Sequence, residues 1–102
     1  MKLVILMYLR DDDACVERLL AEARVPVYSR MEMEGAALGP GPGWYGESAP
    51  YRSQMILSVV SDEVAASLLA AVEDCRGVED PEHPIRALQL PVERMTSCRC
   101  DG

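Results

Sequence analysis

The order of its predicted strands and helices constrains this chain more than any other feature. Apolar residues that alternate with polar ones predict strands, and apolar residues at helical spacing predict helices. The resulting order, βαββαβ, is typical of the ferredoxin-like α+β sandwich. The predicted elements are strand 2–9, helix 12–24, strand 27–35, strand 53–60, helix 61–76 and strand 85–93. We expect a single domain over residues 1–102, with a flexible loop at 36–52 and a short tail at 95–102 that contains cysteines.

Local signals predict where several of these elements begin and end. The aspartates at 11–13 predict an N-cap for the first helix, and Ser61 predicts one for the second. Pro26 predicts the end of the first helix, because proline cannot continue the hydrogen-bond ladder. Pro91 indicates that the last strand lies at an edge of the sheet or ends there.

The apolar residues predict which surfaces are buried. The nearly continuous apolar run 3–7 favours a central strand, covered by helices on one face and by a neighbouring subunit on the other. In strand 27–35, apolar and polar residues alternate, so we expect one face inward and one outward. Four methionines lie within predicted strands, where core or subunit packing is favoured over copper binding by thioethers: Met7, Met31, Met33 and Met55.

Charge and hydropathy exclude some classes of partner and location. The chain has 17 acidic and 10 basic residues and a formal net charge of -7, which disfavours nucleic-acid binding because phosphates are repelled. No segment approaches the roughly 20 apolar residues of a membrane span, so direct membrane insertion is not expected. The first strand lacks the features of a signal peptide, and we expect a cytoplasmic protein with reduced or ligand-bound cysteines.

The 36–52 loop is a candidate partner surface. Its Gly-Pro-Gly-Pro-Gly run at 39–43 is compatible with neither helix nor interior strand. Exposed aromatic residues often anchor a protein partner, although they can also fold back on their own surface. The candidate partner residues are Trp44, Tyr45 and Tyr51.

The tail contains the sharpest chemical motif, Cys98-Arg99-Cys100. Two thiols at i and i+2 of an extended chain can chelate a soft divalent or monovalent metal, and His83 could complete such a site. The pair could instead form an easily reduced disulfide, with Arg99 favouring the thiolate. A disordered, reducible tail and a solvated loop histidine are the simpler interpretations.

The other two cysteines are predicted to have a structural role, and the sequence shows no group of catalytic residues. Cys15 and Cys75 lie at helical positions, where a free cysteine usually packs as a small core residue. With one histidine and no glycine-rich phosphate loop, no catalytic constellation can be assembled. We therefore do not expect an enzyme.

The order, spacing and length of these elements resemble those of the PII signalling family and its divergent PII-like relatives. Residues 1–4 resemble the first PII strand, and Gly35 matches the glycine at the base of the family's T-loop. Residues 53–64 resemble the third strand and second helix, and Leu90-Pro91-Val92-Glu93 resembles the fourth-strand motif. The resemblance implies a homotrimer with inward-facing sheets, ligand binding between subunits, and a loop that contacts a membrane transporter or another protein target.

The resemblance also indicates where the ligand would bind. The stretch at the loop base and the arginines near the last strand are the candidate ligand residues: Gly35, Ala36, Ala37, Leu38, Arg86 and Arg99. The family's Gly-Asp-Gly-Lys loop is replaced by Glu82-His83-Pro84-Ile85, which argues against an adenine nucleotide held as in the standard family. The alternative function is heavy-metal binding or tolerance through the C-terminal cysteine pair.

Overall fold

The computed structural model describes residues 1–36, 51–75 and 85–98, with Tyr51 described by its backbone only. These residues form four strands and two α-helices: β1 (Lys2–Leu9), α1 (Asp13–Glu22), β2 (Ser29–Gly35), β3 (Tyr51–Val60), α2 (Asp62–Glu73) and β4 (Arg86–Pro91). The order is the predicted βαββαβ. A 3₁₀ turn (Arg10–Asp12) connects β1 to α1.

The four strands form one antiparallel sheet in the order β2-β3-β1-β4. The apolar strand β1 is central, as predicted, and β2 and β4 are the edges. The edge position of β4 agrees with Pro91, which ends the strand because it has no N–H to donate.

Both helices pack against one face of the sheet. The core there consists of alternate strand residues and the apolar stripes of the helices: Val4, Leu6, Tyr8, Ile56 and Val60 from the sheet, and Val16, Leu20, Ala23, Ala65 and Leu68 from the helical layer. Burial of each large aliphatic side chain contributes about 1.5–3 kcal/mol relative to an exposed one. This face therefore accounts for most of the apolar burial within a single chain.

The first helix is shorter than predicted at both ends. Asp12 is its N-cap residue, as predicted, although its side chain makes no capping hydrogen bond. The helix ends before Pro26 is reached, because Arg24 adopts a left-handed conformation (φ 62°). Val25 N donates to Leu20 O and Arg24 N to Ala21 O, which is the hydrogen-bond pattern of a Schellman motif.

The second helix begins as predicted. Ser61 accepts a hydrogen bond from Val64 N at 3.2 Å, and Asp62 and Glu63 occupy the first turn. The helix ends at Glu73 and not at 76. Asp74 and Cys75, which follow, have weaker helix propensity than the alanines and leucines before them.

The strand bounds also differ from the prediction. Strand β2 begins at Ser29 and not at 27. Before the regular ladder starts, the hydroxyl of Ser58 donates a hydrogen bond to Val27 O. Strand β3 begins earlier, at Tyr51, which pairs with Gly35. Tyr51 and Arg52 therefore belong to a strand and not to the predicted loop. Strand β4 is shorter than predicted at both ends.

Candidate functional site

The sheet has a second face, opposite the one on which the two helices pack. Its side chains alternate with those of the core, and the strand registers place them in adjacent rows. The rows continue to Met33, Ser53 and Leu9, of which Ser53 and Leu9 are buried. We call the rest of this surface the open face, and its apolar residues are Leu3, Ile5, Met7, Met31, Met55, Leu57, Val59, Leu88 and Leu90. All nine are half-buried or exposed; Met31 is 41% exposed and Leu90 43%.

The open face contains a shallow groove of about 320 Å³ near the start of β2. Val27, 76% exposed, and Tyr28 form one side of it, and Leu57 and Val59 of β3 form the other. The apolar residues of the 27–35 segment therefore point to the open face, and the predicted alternation of the two faces is present in the strand part of this segment. Its Arg30 points instead to the helical side, where it contacts α1.

The predicted ligand residues at the loop base and at β4 lie at the same end of the sheet but at opposite edges. Gly35 ends β2 and Ala36 follows it, whereas Arg86 begins β4 and pairs with Met7. With β3 and β1 between them, the two edges are separated by roughly 14 Å, three inter-strand spacings. One chain therefore does not bring the two groups together, and a ligand that contacts both needs two copies.

A polar network lies on the helical side at this same end. The Tyr8 hydroxyl, fully buried, donates to Asp13 Oδ1 at 2.6 Å and lies 2.9 Å from the side-chain amide of Gln54. Because the hydroxyl has one proton, both contacts are satisfied when Gln54 presents its N–H group to the hydroxyl oxygen. Burial, and then the hydrogen bond to Asp13, raise the pKa of Tyr8 well above its ordinary value.

Arg30 connects this network to α1 from the edge strand. Its guanidinium donates to Glu17 Oε1 at 2.7 Å and lies 3.3 Å from Asp13 Oδ2. The hydrogen bond to Glu17 raises the pKa of Arg30 above its already high value, so the side chain stays charged. Sequence reasoning missed this network, since its members are spread over β1, α1, β2 and β3.

Two of the four cysteines are in contact. Cys15 Sγ on α1 lies 3.3 Å from Cys75 Sγ, just beyond the end of α2. Cys15 is buried, as predicted, but Cys75 is only half-buried. No sequence pattern joins residues 60 positions apart, and only the packing of the two helices reveals the pair.

The predicted metal site is only partly described. Cys98 is exposed, in a segment after β4 that has no regular secondary structure. Within residues 1–36, 51–75 and 85–98, no three histidine, cysteine, aspartate or glutamate side chains are grouped to hold a metal. His83 and Cys100 lie outside the described residues, so metal binding by the tail stays a prediction.

The other predicted site residues also lie outside the described part of the chain: Ala37, Leu38, Trp44, Tyr45 and Arg99. Tyr51 is described only as the first residue of β3. In the described ranges, no helix is both long and apolar enough to cross a membrane.

Comparison with known proteins finds similarity in structure but not in sequence. No protein-family profile and no curated protein matches the chain. A crystal structure from Thermus thermophilus, assigned to the PII-like signalling proteins, superposes with a TM-score of 0.62 at 16% identity, covering 87% of this chain and 83% of that one. CPII, a nitrogen regulatory PII-like protein from Thiomonas intermedia bound to ADP, AMP and bicarbonate, superposes with a TM-score of 0.59 at 16% identity, covering 93% and 94%.

Both matches extend over most of each chain, so the similarity concerns the whole fold and not one βαβ unit. The order of elements and the ferredoxin-like class predicted from the sequence are thereby confirmed. The chain therefore has the fold of the PII-like signalling proteins.

Proposed function

We propose that this chain is the subunit of a homotrimeric PII-like regulatory protein whose open faces pack together at the trimer centre. The open face carries the proposal, because it places nine apolar side chains from all four strands on one surface. Contiguous apolar patches of this kind mark interaction sites on proteins. A second copy is the matching partner, since it presents the same aliphatic surface.

In this assembly, ligand binding takes place between subunits. The end of β2 at Gly35 and the start of β4 at Arg86 lie too far apart in one chain to share a small ligand. Neighbouring copies can bring one edge of each sheet together, with the cationic Arg86 at one of these edges. The solved structure of CPII with ADP, AMP and bicarbonate supports a small ligand of this kind, although the standard triphosphate anchors are missing from this sequence.

The 36–52 segment then acts as the signalling element. Its residues 36–50 connect β2 to β3, which meet at the same end of the sheet as Arg86. A ligand bound at this end can therefore change how the segment is presented to a protein target, such as a membrane transporter. Loop ordering by a bound ligand is an established form of molecular switch.

The oligomeric state of the purified protein tests this proposal. Native mass spectrometry and light scattering at micromolar concentration should give three chain masses. A matched pair of charge substitutions locates the interface. Leu57→Glu places a carboxylate in the centre of the open face, and Ala66→Glu places one on the exposed side of α2.

We expect Leu57→Glu to convert the trimer to a monomer and Ala66→Glu to leave it intact, because a buried unpaired charge opposes association. Far-UV circular dichroism identifies any variant that fails to fold. A wild-type protein that is monomeric at this concentration, or a folded Leu57→Glu variant that stays trimeric, contradicts the proposal.

A further inference from the structure

The two helices that cover the sheet hold a pair of thiols in contact at one end of the helical layer. Cys15 is the third residue of α1, and Cys75 follows Asp74, the C-cap of α2. Their sulfur atoms lie 3.3 Å apart although the residues are separated by 60 positions in sequence. We propose that Cys15 and Cys75 are a redox modification site, where a low-molecular-weight disulfide such as oxidised glutathione converts the thiols to an intramolecular disulfide.

The surrounding structure holds the two sulfurs near bonding distance. A disulfide bond is about 2.05 Å long, so the sulfurs must approach by about 1.2 Å. The helices are anchored by buried residues on either side of the pair, including Val16, Leu19 and Leu68. Cys75 lies just past the helix end, where its N–H bonds to Val72 O at 3.2 Å, so a small adjustment there need not disturb α2.

Burial gives the two thiols different roles. Cys15 is only 6% exposed, whereas Cys75 is half-buried and meets an oxidant from solvent first. Burial, with a smaller contribution from Cys75, raises the pKa of the Cys15 thiol to about 11. Arg18 Nη2 lies 3.7 Å from Cys15 Sγ and opposes this rise, which helps the thiolate of Cys15 to form during the second step.

The reaction is two successive thiol–disulfide exchanges. The Cys75 thiolate attacks one sulfur of oxidised glutathione, which forms a mixed disulfide and releases one glutathione thiolate that takes up a proton. The Cys15 thiolate then attacks the Cys75 sulfur, which breaks the mixed disulfide and releases the second glutathione. In total, two protein thiols are oxidised to one disulfide, and one glutathione disulfide is reduced to two glutathione thiols.

The bond would join the first turn of α1 to the end of α2. Cys75 is also the residue from which the chain leaves α2 toward β4 and Arg86. The disulfide therefore attaches the start of the segment between α2 and β4 covalently to α1. This property is independent of the trimer, because both thiols belong to one chain and lie on the face opposite the open face.

The test uses the full chain carrying Cys98→Ser and Cys100→Ser, so that only Cys15 and Cys75 can react. The protein is equilibrated with oxidised glutathione, acid-quenched and measured by intact mass spectrometry and peptide mapping. We expect a product lighter by two hydrogen atoms, a peptide that links Cys15 to Cys75, and reversal by dithiothreitol. The oxidised form should unfold at a temperature higher by roughly 10 °C or more.

Two further substitutions in the same background separate the steps. Cys15→Ala removes the buried thiol conservatively and should trap a mixed disulfide of Cys75 with glutathione. Cys75→Ser should leave Cys15 largely unmodified in the native state. Circular dichroism confirms that both variants fold.

Two outcomes overturn the proposal. In the first, Cys15 and Cys75 both stay reduced when the chain without tail thiols is equilibrated with oxidised glutathione. The other is a stable glutathione adduct on Cys75 while Cys15 is still present, which would show that the two sulfurs do not reach bonding geometry.

Discussion

The two faces of the same sheet have similar apolar side chains but different surroundings. On β1, Val4 and Leu6 are fully buried beneath the helices, whereas Leu3 and Ile5, their immediate neighbours, lie on the open face. Strand β3 repeats this difference at Ile56 and Leu57. An apolar residue in a strand therefore does not indicate whether the surface that can cover it belongs to the same chain.

The difference has an energetic consequence. Apolar burial on the helical face stabilises each chain by itself, whereas in the proposed trimer burial on the open face depends on the neighbouring copies. Association stabilises the folded state by mass action. We therefore expect the stability of the trimer, and not that of the monomer, to depend on the open face.

The largest effect on stability should come from shortening a side chain on the face that the helices cover. Leu6→Ala leaves a cavity beneath the helices and should lower the free energy of unfolding by about 3 kcal/mol. Leu57→Ala, on the open face, should cost less than about 1 kcal/mol in dilute monomer, because its side chain already contacts water. Urea unfolding followed by circular dichroism measures both.

Varying the protein concentration separates the contributions of the two faces to stability. The loss in unfolding free energy caused by Leu57→Ala should grow when unfolding is repeated at concentrations where the proposed trimer forms. Most of the loss caused by Leu6→Ala should not depend on concentration. Equal costs in the dilute monomer would show that the two faces are equally covered within one chain.

The polar network beneath the helices should have an intermediate effect. Tyr8→Phe removes the hydroxyl that contacts Asp13 and Gln54 and should cost about 1–2 kcal/mol, because these groups lose a buried partner. Unfolding in urea at neutral pH measures this cost. An unchanged stability would indicate that water replaces the hydroxyl.

The same substitution should change the response to alkaline pH. The pKa of Tyr8 is raised on folding, chiefly by burial, so its contribution to stability is fully present below the unfolded pKa of about 10 and is lost as pH rises beyond it. The advantage of the wild type over Tyr8→Phe should therefore shrink above pH 10 or so. Cys15 also titrates at high pH, but it is common to both proteins and cancels in the difference.

The smallest effect should come from the edge strand, where Arg30 and Met31 point to opposite faces. Arg30→Gln removes contacts to Glu17 and Asp13 that are partly exposed, so it should cost under about 1 kcal/mol, and less in high salt. Met31→Ala should leave the monomer nearly unchanged and weaken association. Unfolding in low and high salt, with light scattering, separates the two effects.

The class of fold could be predicted from the sequence, because hydrophobic periodicity and the residues that begin or end helices and strands are local signals. The cap at Ser61 and the edge position of β4 followed from single residues with clear preferences. The end of α1 did not, because Arg24 occupies a left-handed position where glycine is the usual signal. Strand β3 begins earlier than predicted because pairing with β2 extends it to Tyr51.

The candidate site was less accessible to prediction. The family resemblance predicted that Gly35 and Arg86 contact a ligand, but only the strand order shows that they lie at opposite edges. Which face of the sheet the apolar residues of β2 occupy could not be predicted. Arg30 finds a favourable surface on one face, and Met31 finds one on the other. The contact between Cys15 and Cys75 depends on the relative positions of two helices, which periodicity does not encode.

The central position of β1 has a consequence for how the chain is made. Strand β1 is synthesised before both of the strands that it pairs with, β3 and then β4. An apolar segment must therefore leave the ribosome well before either neighbour exists, and contacts of such large sequence separation form slowly. We expect incomplete chains that end before β3 to aggregate or to bind chaperones, so that β3 is the earliest point at which this protein can begin to fold around its first strand.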